Sequence, residues 1–323
     1  MHLTARTKTW MWILLVIIAV VVVVGLVRLP GSAERRAERA AKQELEAYRA
    51  YRDETDPAKR IANMEHFLDK FPKSQYRGYA YANIFTTYLD DVADTAKAVE
   101  YARGVLASAE PADGKAPLYP ALMSFWMATG AHDNVVAIAR EALAAAITDG
   151  GIYNEMGYEL AEAGQHLDLA VELCQKSVDL SKEDMDKSYA YDSLGWAYLQ
   201  AGDAAKAVDA LAQAKKLAGE DADETVLTHL AKAQVAAKDA EGAIATYLEM
   251  MSTGEFDEAR VELDSLYAVT KRAPESLEAD IQALRAKKMT ASTDFTLTGT
   301  DGKQVSLAGL KGKVVVLNFM SPT

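Results

Sequence analysis

The sequence predicts an all-α protein: a row of helical hairpins that follows one membrane-spanning helix and closes on a short α/β fragment. Three observations predict it. Half of the 323 residues are hydrophobic and a quarter are charged, only 8% are aromatic, and alanine is abundant. Alanine is the best helix former and lets helices pack closely. Apolar residues recur at helical spacing in paired segments, with Gly130, Gly164 and Gly202 breaking the pairs. An uncharged apolar run, Trp10 to Val27, stands ahead of them.

Charge and side-chain chemistry exclude several function classes. The formal net charge is -12, and no basic stripe offsets it, so a phosphate backbone is not an expected partner. The single cysteine, Cys174, cannot form an intrachain disulfide or a CxxC pair. It lies in an apolar helical stretch, where cysteine acts as a small hydrophobe; the alternative is a reactive thiol, which needs an electropositive, exposed setting. The five histidines, His2, His66, His132, His166 and His229, show no metal-ligand spacing. There is no phosphate-binding glycine loop and no nucleophile elbow. No catalytic residue, metal or cofactor is therefore expected in the chain as given.

From the N-terminus, residues 1–9 form a short tail carrying Arg6 and Lys8, and 10–28 form the expected transmembrane helix. At about 1.5 Å per residue the run from Trp10 to Val27 is about 27 Å long, close to the hydrocarbon thickness. Trp10 and Trp12 sit where interfacial aromatics belong. The alternative is a cleaved secretory signal, with Gly31-Ser32-Ala33 as the small-residue site; the run exceeds the usual signal core, which favours an uncleaved anchor. The basic residues after the run, Arg28, Arg35, Arg36, Arg39 and Lys42, place the body inside by a plain positive-inside count. A signal-anchor design, with which the C-terminal segment agrees, places the body outside the cytoplasm, on the periplasmic side. That second placement is the expectation. Residues 29–56 read as a charged helical stalk, Glu and Arg interleaved at helical spacing.

Residues 57–289 read as repeats. The clearest copy runs from Ser188 to Leu217: Leu194-Gly195, then Tyr198, Gly202 at the break, and Ala207, Leu211 and Ala214 on the second helix. Leu230-Ala231 with Ala243, Tyr247 and Met250 repeats it about 36 residues later; Met156-Gly157 with Gly164, Ala170, Cys174 and Ser177 precedes it. The pattern resembles the TPR family, in which small residues let two antiparallel helices touch and large ones fill the space between hairpins. About six hairpins are expected, the outer ones with a degraded code. The resemblance implies a concave face built from the first helix of each hairpin. Carried onto this chain, its partner-binding positions are Asn154 and Tyr158, then Tyr189, Asp192 and Trp196, then Thr228 and Lys232. A protein or peptide partner is implied there. Packing of these aromatics between hairpins is the alternative. A carboxylate clamp is not implied, because only Asn154 and Lys232 have the required chemistry.

Residues 290–323 change character. Asp294–Leu297 and Gln304–Leu307 read as strands around the turn Gly299-Thr300-Asp301-Gly302, and Val314–Phe319 reads as a buried strand. The string "DFTLTGTDGKQVSLAGLKGKVVVLNF" resembles the start of a thioredoxin-like domain of the TlpA-like and peroxiredoxin-like (redoxin) branch. The resemblance implies a redox turn immediately after Thr323, so the expectation is a truncated record of a longer thiol-disulfide oxidoreductase, or of a thiol peroxidase. A membrane-tethered scaffold with a non-catalytic tail is the alternative.

Overall fold

A computed structural model describes residues 32–219, 222–254, 256–288, 295–299, 302–313 and 315. The chain divides into two units, Met1–Ala222 and Asp223–Thr323.

The described part of the first unit is helical throughout. Its helices are α1 (Ser32–Arg52), α2 (Pro57–Lys70), α3 (Arg77–Thr86), α4 (Thr95–Ala107), α5 (Leu118–Ala128), α6 (His132–Ala144), α7 (Gly150–Glu162), α8 (Leu167–Leu180), α9 (Asp184–Gln200) and α10 (Ala204–Ala218). A π-helical segment, Thr87–Asp91, continues α3, and one turn, Ala112–Lys115, precedes α5. Consecutive helices pair as hairpins and each hairpin packs on the next. This is a TPR-like solenoid. The second unit holds α11 (Glu224–Ala236), α12 (Ala240–Met251), α13 (Asp257–Val269) and α14 (Ser276–Lys288), then a hairpin of β1 (Thr296–Thr298) and β2 (Gln304–Ser306).

Close approach at one point marks two of the three clear hairpins. A Cβ added at Gly195 on α9 would lie 2.4 Å from Leu211 Cγ on α10, and one added at Gly157 on α7 would lie 2.5 Å from Cys174 Sγ on α8. Only a glycine admits its partner at that distance. Cys174 is fully buried there, so the lone thiol fills a packing position, as the repeat alignment implied.

The same turn joins the two helices of successive hairpins. At Gly130, Gly164, Gly202, Lys238 and Lys271 the chain turns left-handed, with φ of 69°, 62°, 82°, 63° and 57°. The next residue's N–H closes back on the helix: Ala131 to Trp126 O, Gln165 to Leu160 O, Asp203 to Tyr198 O, Asp239 to Gln234 O and Arg272 to Tyr267 O, all at 2.8–3.0 Å. This is the Schellman closure that satisfies helix-end carbonyls. Asp203 and Asp239 then cap the following helix, accepting from Lys206 N and Gly242 N. Two residues thus end one helix and start the next.

Ion pairs link second helices of neighbouring hairpins. Arg103 on α4 meets Glu141 on α6 at 2.6 Å, and Arg140 on α6 meets Glu172 on α8. All four side chains are solvent-exposed, which keeps the energetic contribution of each pair small. The pair between Arg77 on α3 and Glu110 is better shielded. Two guanidinium nitrogens reach both carboxylate oxygens, at 3.0 and 2.8 Å, and hold the Glu110 carboxyl below its ordinary range.

One expectation is overturned, and observations at the two ends of the repeats bear on two others. Among the described residues no helix is long and apolar enough to cross a membrane. The longest, α1, carries arginine and glutamate along its length, which lipid does not tolerate. The expected single-pass anchor, and the extracytoplasmic body that depended on it, are corrected accordingly; Trp10–Val27 itself lies outside the described residues. Second, α1 is not a bare stalk at its C-terminal end. Tyr48 is buried, stacked on Tyr76 at 5.2 Å and tilted against Phe67 at 5.7 Å, while Ser74 Oγ donates to Glu44 at 2.6 Å. The first hairpin therefore begins at α1. Third, of the three expected C-terminal strands, two pair antiparallel with Leu297 opposite Val305, both exposed. Val314–Phe319 lies outside the described residues apart from Val315.

The glycine contact has a measurable consequence. Gly195→Ala should lower stability by about 1–3 kcal/mol, because Leu211 must move. Leu211→Ala alone should cost about 2–5 kcal/mol. In the double variant the two losses should sum to more than the observed loss, since the shortened side chain makes room for the new Cβ. Strict additivity in urea melts would show that this contact does not set the hairpin.

Candidate functional site: the first-helix faces

In the first unit, α7 and α9 are first helices of adjacent hairpins and pack side by side. The start of α7 is fixed by Asp149, which accepts from Gly151 N at 2.8 Å. Tyr153 Oη then donates to Ala142 O at 3.1 Å and ties α7 to α6. On α9, Ser188 Oγ donates to Ala214 O at 2.8 Å and ties that helix to α10. These inward-facing bonds fix the rotation of both helices, and with it the residues they leave outward.

The expected positions do not behave alike. Tyr189 is half exposed, the most open of the five in this unit. Trp196 and Tyr158 are half-buried. Burial, then the Glu162 carboxylate, pushes the Tyr158 hydroxyl up to about 12, so it stays protonated. Asp192 contributes to that shift, which puts Asp192 and Tyr158 in one neighbourhood. Asp192 itself is only 7% exposed. It belongs to the interior of the helix contact and not to the open face. Asn154 is half-buried, and its Oδ1 accepts no hydrogen bond from the described residues.

Two carboxylates on the same face had no sequence signal beyond their helical position. Ser124 on α5 donates to Glu159 on α7 at 2.8 Å. Desolvation raises the Glu159 carboxyl, against that hydrogen bond. Glu155 is raised as well, by desolvation and then by the Glu159 charge. The face is thus both aromatic and acidic.

Thr228 and Lys232 lie in the second unit. They line a cleft of about 570 Å³ between α11 and α13, floored by Tyr247 and Met250 of α12. Thr228 Oγ1 lies 3.6 Å from Met250 Sδ, and Lys232 is exposed. The α13 side of this cleft, Asp257 to Glu262, was missed. Its helix carries none of the Leu-Gly or Ala code that marks the clear repeats. The repeat shows only in the backbone: the left-handed Lys271 follows the left-handed Lys238 by the 33 residues that carry Thr228 onto Val261.

Among the described residues no cluster of histidine, cysteine, aspartate and glutamate is arranged to hold a metal ion. The buried Cys174 thiol is raised to about 12, by desolvation and then by Asp192.

No protein-family model and no curated protein matches this sequence. Solved structures with similar folds include pilF of Pseudomonas aeruginosa, 17% identical, covering 66% of this chain and 98% of its own, with a TM-score of 0.45. The C-terminal part of a TPR repeat-containing protein from Cytophaga hutchinsonii is 15% identical over 77% of this chain and 96% of its own, with a TM-score of 0.47. A tetratricopeptide repeat protein from Parabacteroides merdae is 10% identical over 78% and 94%, with a TM-score of 0.44. At these similarities the assignment of the fold rests on the hairpin packing described above.

The thiol offers a direct check on this geometry. At pH 8 the native chain should react with a thiol reagent at least about a hundredfold more slowly than the chain in urea, because both burial and pKa suppress the thiolate. Rapid labelling of the native chain would place Cys174 at the surface and undo the α7–α8 packing.

Proposed function

We propose that the chain is a protein-interaction module whose first-helix faces hold a partner polypeptide. One observation carries this reading. Tyr189 stands half exposed on α9, two turns before the half-buried Trp196, and the half-buried Tyr158 lies on the adjacent α7. Tyrosine and tryptophan are the residue types that dominate interface energetics, since each covers a large area with few rotatable bonds. A selection of displayed peptides against the full chain tests it. Enriched peptides should lose about tenfold or more in affinity on Tyr189→Ala or Trp196→Ala, and keep it on Arg140→Ala, which lies on a second helix. Enriched peptides indifferent to all three substitutions would overturn the reading.

A second reading draws support from the β1–β2 hairpin, which falls where the redoxin resemblance implies two opening strands. In it, the repeats hold the substrate of a TlpA-like thiol-disulfide oxidoreductase, or of a peroxiredoxin-type peroxidase, for which 290–323 is the opening segment. Sequencing the gene past the codon for Thr323 decides it. A Cys-x-x-Cys within a few residues supports the oxidoreductase and a lone cysteine in Thr-x-x-Cys the peroxidase, whereas a stop codon leaves the interaction module alone.

A further inference from the structure

The cleft of the second unit has a charge pattern that selects its occupant. Tyr247 and Met250 from α12 form its base and are only 2% and 3% exposed, and Phe256 joins the lining. Val261 on the α13 wall is 64% exposed and leaves apolar surface open in the cleft lining. The walls are acidic. Glu224 stands on α11, and Asp257, Glu258 and Glu262 stand on α13, against the single cation Lys232. The nearest other cation on α13, Arg260, is paired with Asp264 and Glu278 and its charge is spent there. The carboxylates act on the floor as well. The Tyr247 hydroxyl is held at about 12 by burial, then by Glu262 and Glu258. A negative potential over an apolar floor attracts cations that bring hydrophobic surface with them.

We infer that this cleft docks a basic polypeptide segment, in which an apolar side chain enters between α11 and α13 and flanking lysines or arginines meet Glu224, Asp257, Glu258 and Glu262. The inference rests on the reading that first-helix faces hold partner chains, and it names the chemistry of one such partner. Lys232 sets the polarity of docking: the acidic residues crowd one wall, so the cationic side of the segment lies along α13. An acidic segment of equal hydrophobicity is rejected, because four carboxylates oppose it and one lysine receives it.

Fluorescence anisotropy on the full chain tests this with two labelled probes, a peptide of alternating lysine and leucine and one of alternating glutamate and leucine. The lysine probe should bind, and the glutamate probe should bind at least about tenfold more weakly. Affinity for the lysine probe should fall as salt rises, and replacing its leucines by serine should abolish it. Glu258→Lys with Glu262→Lys should weaken the lysine probe about tenfold or more and strengthen the glutamate probe. These side chains are exposed, so folding is spared; Glu224→Lys, on the opposite wall, supplies an independent variant. Equal affinity for both probes, or indifference to both sets of charge reversals, overturns the inference. If neither probe binds while selected peptides still bind through Tyr189 and Trp196, this inference falls and the interaction module stands. If no peptide binds anywhere, both fall.

Discussion

The two hairpins that carry the first candidate face depend on antiparallel helices coming close enough for backbone to meet side chain. At Gly195 and Gly157 the missing Cβ is the space that Leu211 and Cys174 occupy. That contact fixes the height and rotation of the second helix on the first. Rotation in turn decides which residues point inward, such as Tyr153 and Ser188, and which remain outward, such as Tyr189. The candidate binding faces are thus by-products of packing: they are what is left over once the hairpin contact has chosen its side.

The sequence was legible where one residue type alone could do the work. Gly157 and Gly195 mark a close approach that an added Cβ would crowd, and both lie where the repeat pattern placed them. Gly130, Gly164 and Gly202 mark left-handed turns for the same reason. Legibility failed where the backbone did the work instead. Lys238 and Lys271 adopt the same left-handed turn without glycine, held by the same closing hydrogen bonds, and nothing in a lysine announces that. The first hairpin was hidden for another reason. Most of α1 is charged surface, and its membership in the core rests on a few contacts near its end, chiefly Tyr48.

The site was less legible than the fold. Family positions gave the right helices but not the exposure of each residue. Asp192 and Tyr189 sit on the same helix, yet one is enclosed by the neighbouring hairpin and the other open. That difference depends on how far α7 overlaps α9, a tertiary quantity. Ser124 and Glu159 show the same dependence: they are 35 residues apart and meet because their helices are neighbours. The acidic lining of the cleft in the second unit was invisible because its four carboxylates, on the surfaces of two helices, read, one at a time, as ordinary solvation.

The ion pairs between second helices have a consequence for how such a chain changes in length. Helix α6 carries Arg140 for the helix after it and Glu141 for the helix before it, so its outer edge has a plug on one side and a socket on the other. Excising α5 and α6 together would leave Arg103 facing Glu172, the same pair of charges re-formed across the join. Removal of a whole hairpin therefore keeps the pattern of opposite charges along this edge. A gene that loses or duplicates one hairpin meets a matched neighbour, whereas a cut through the middle of a hairpin meets none.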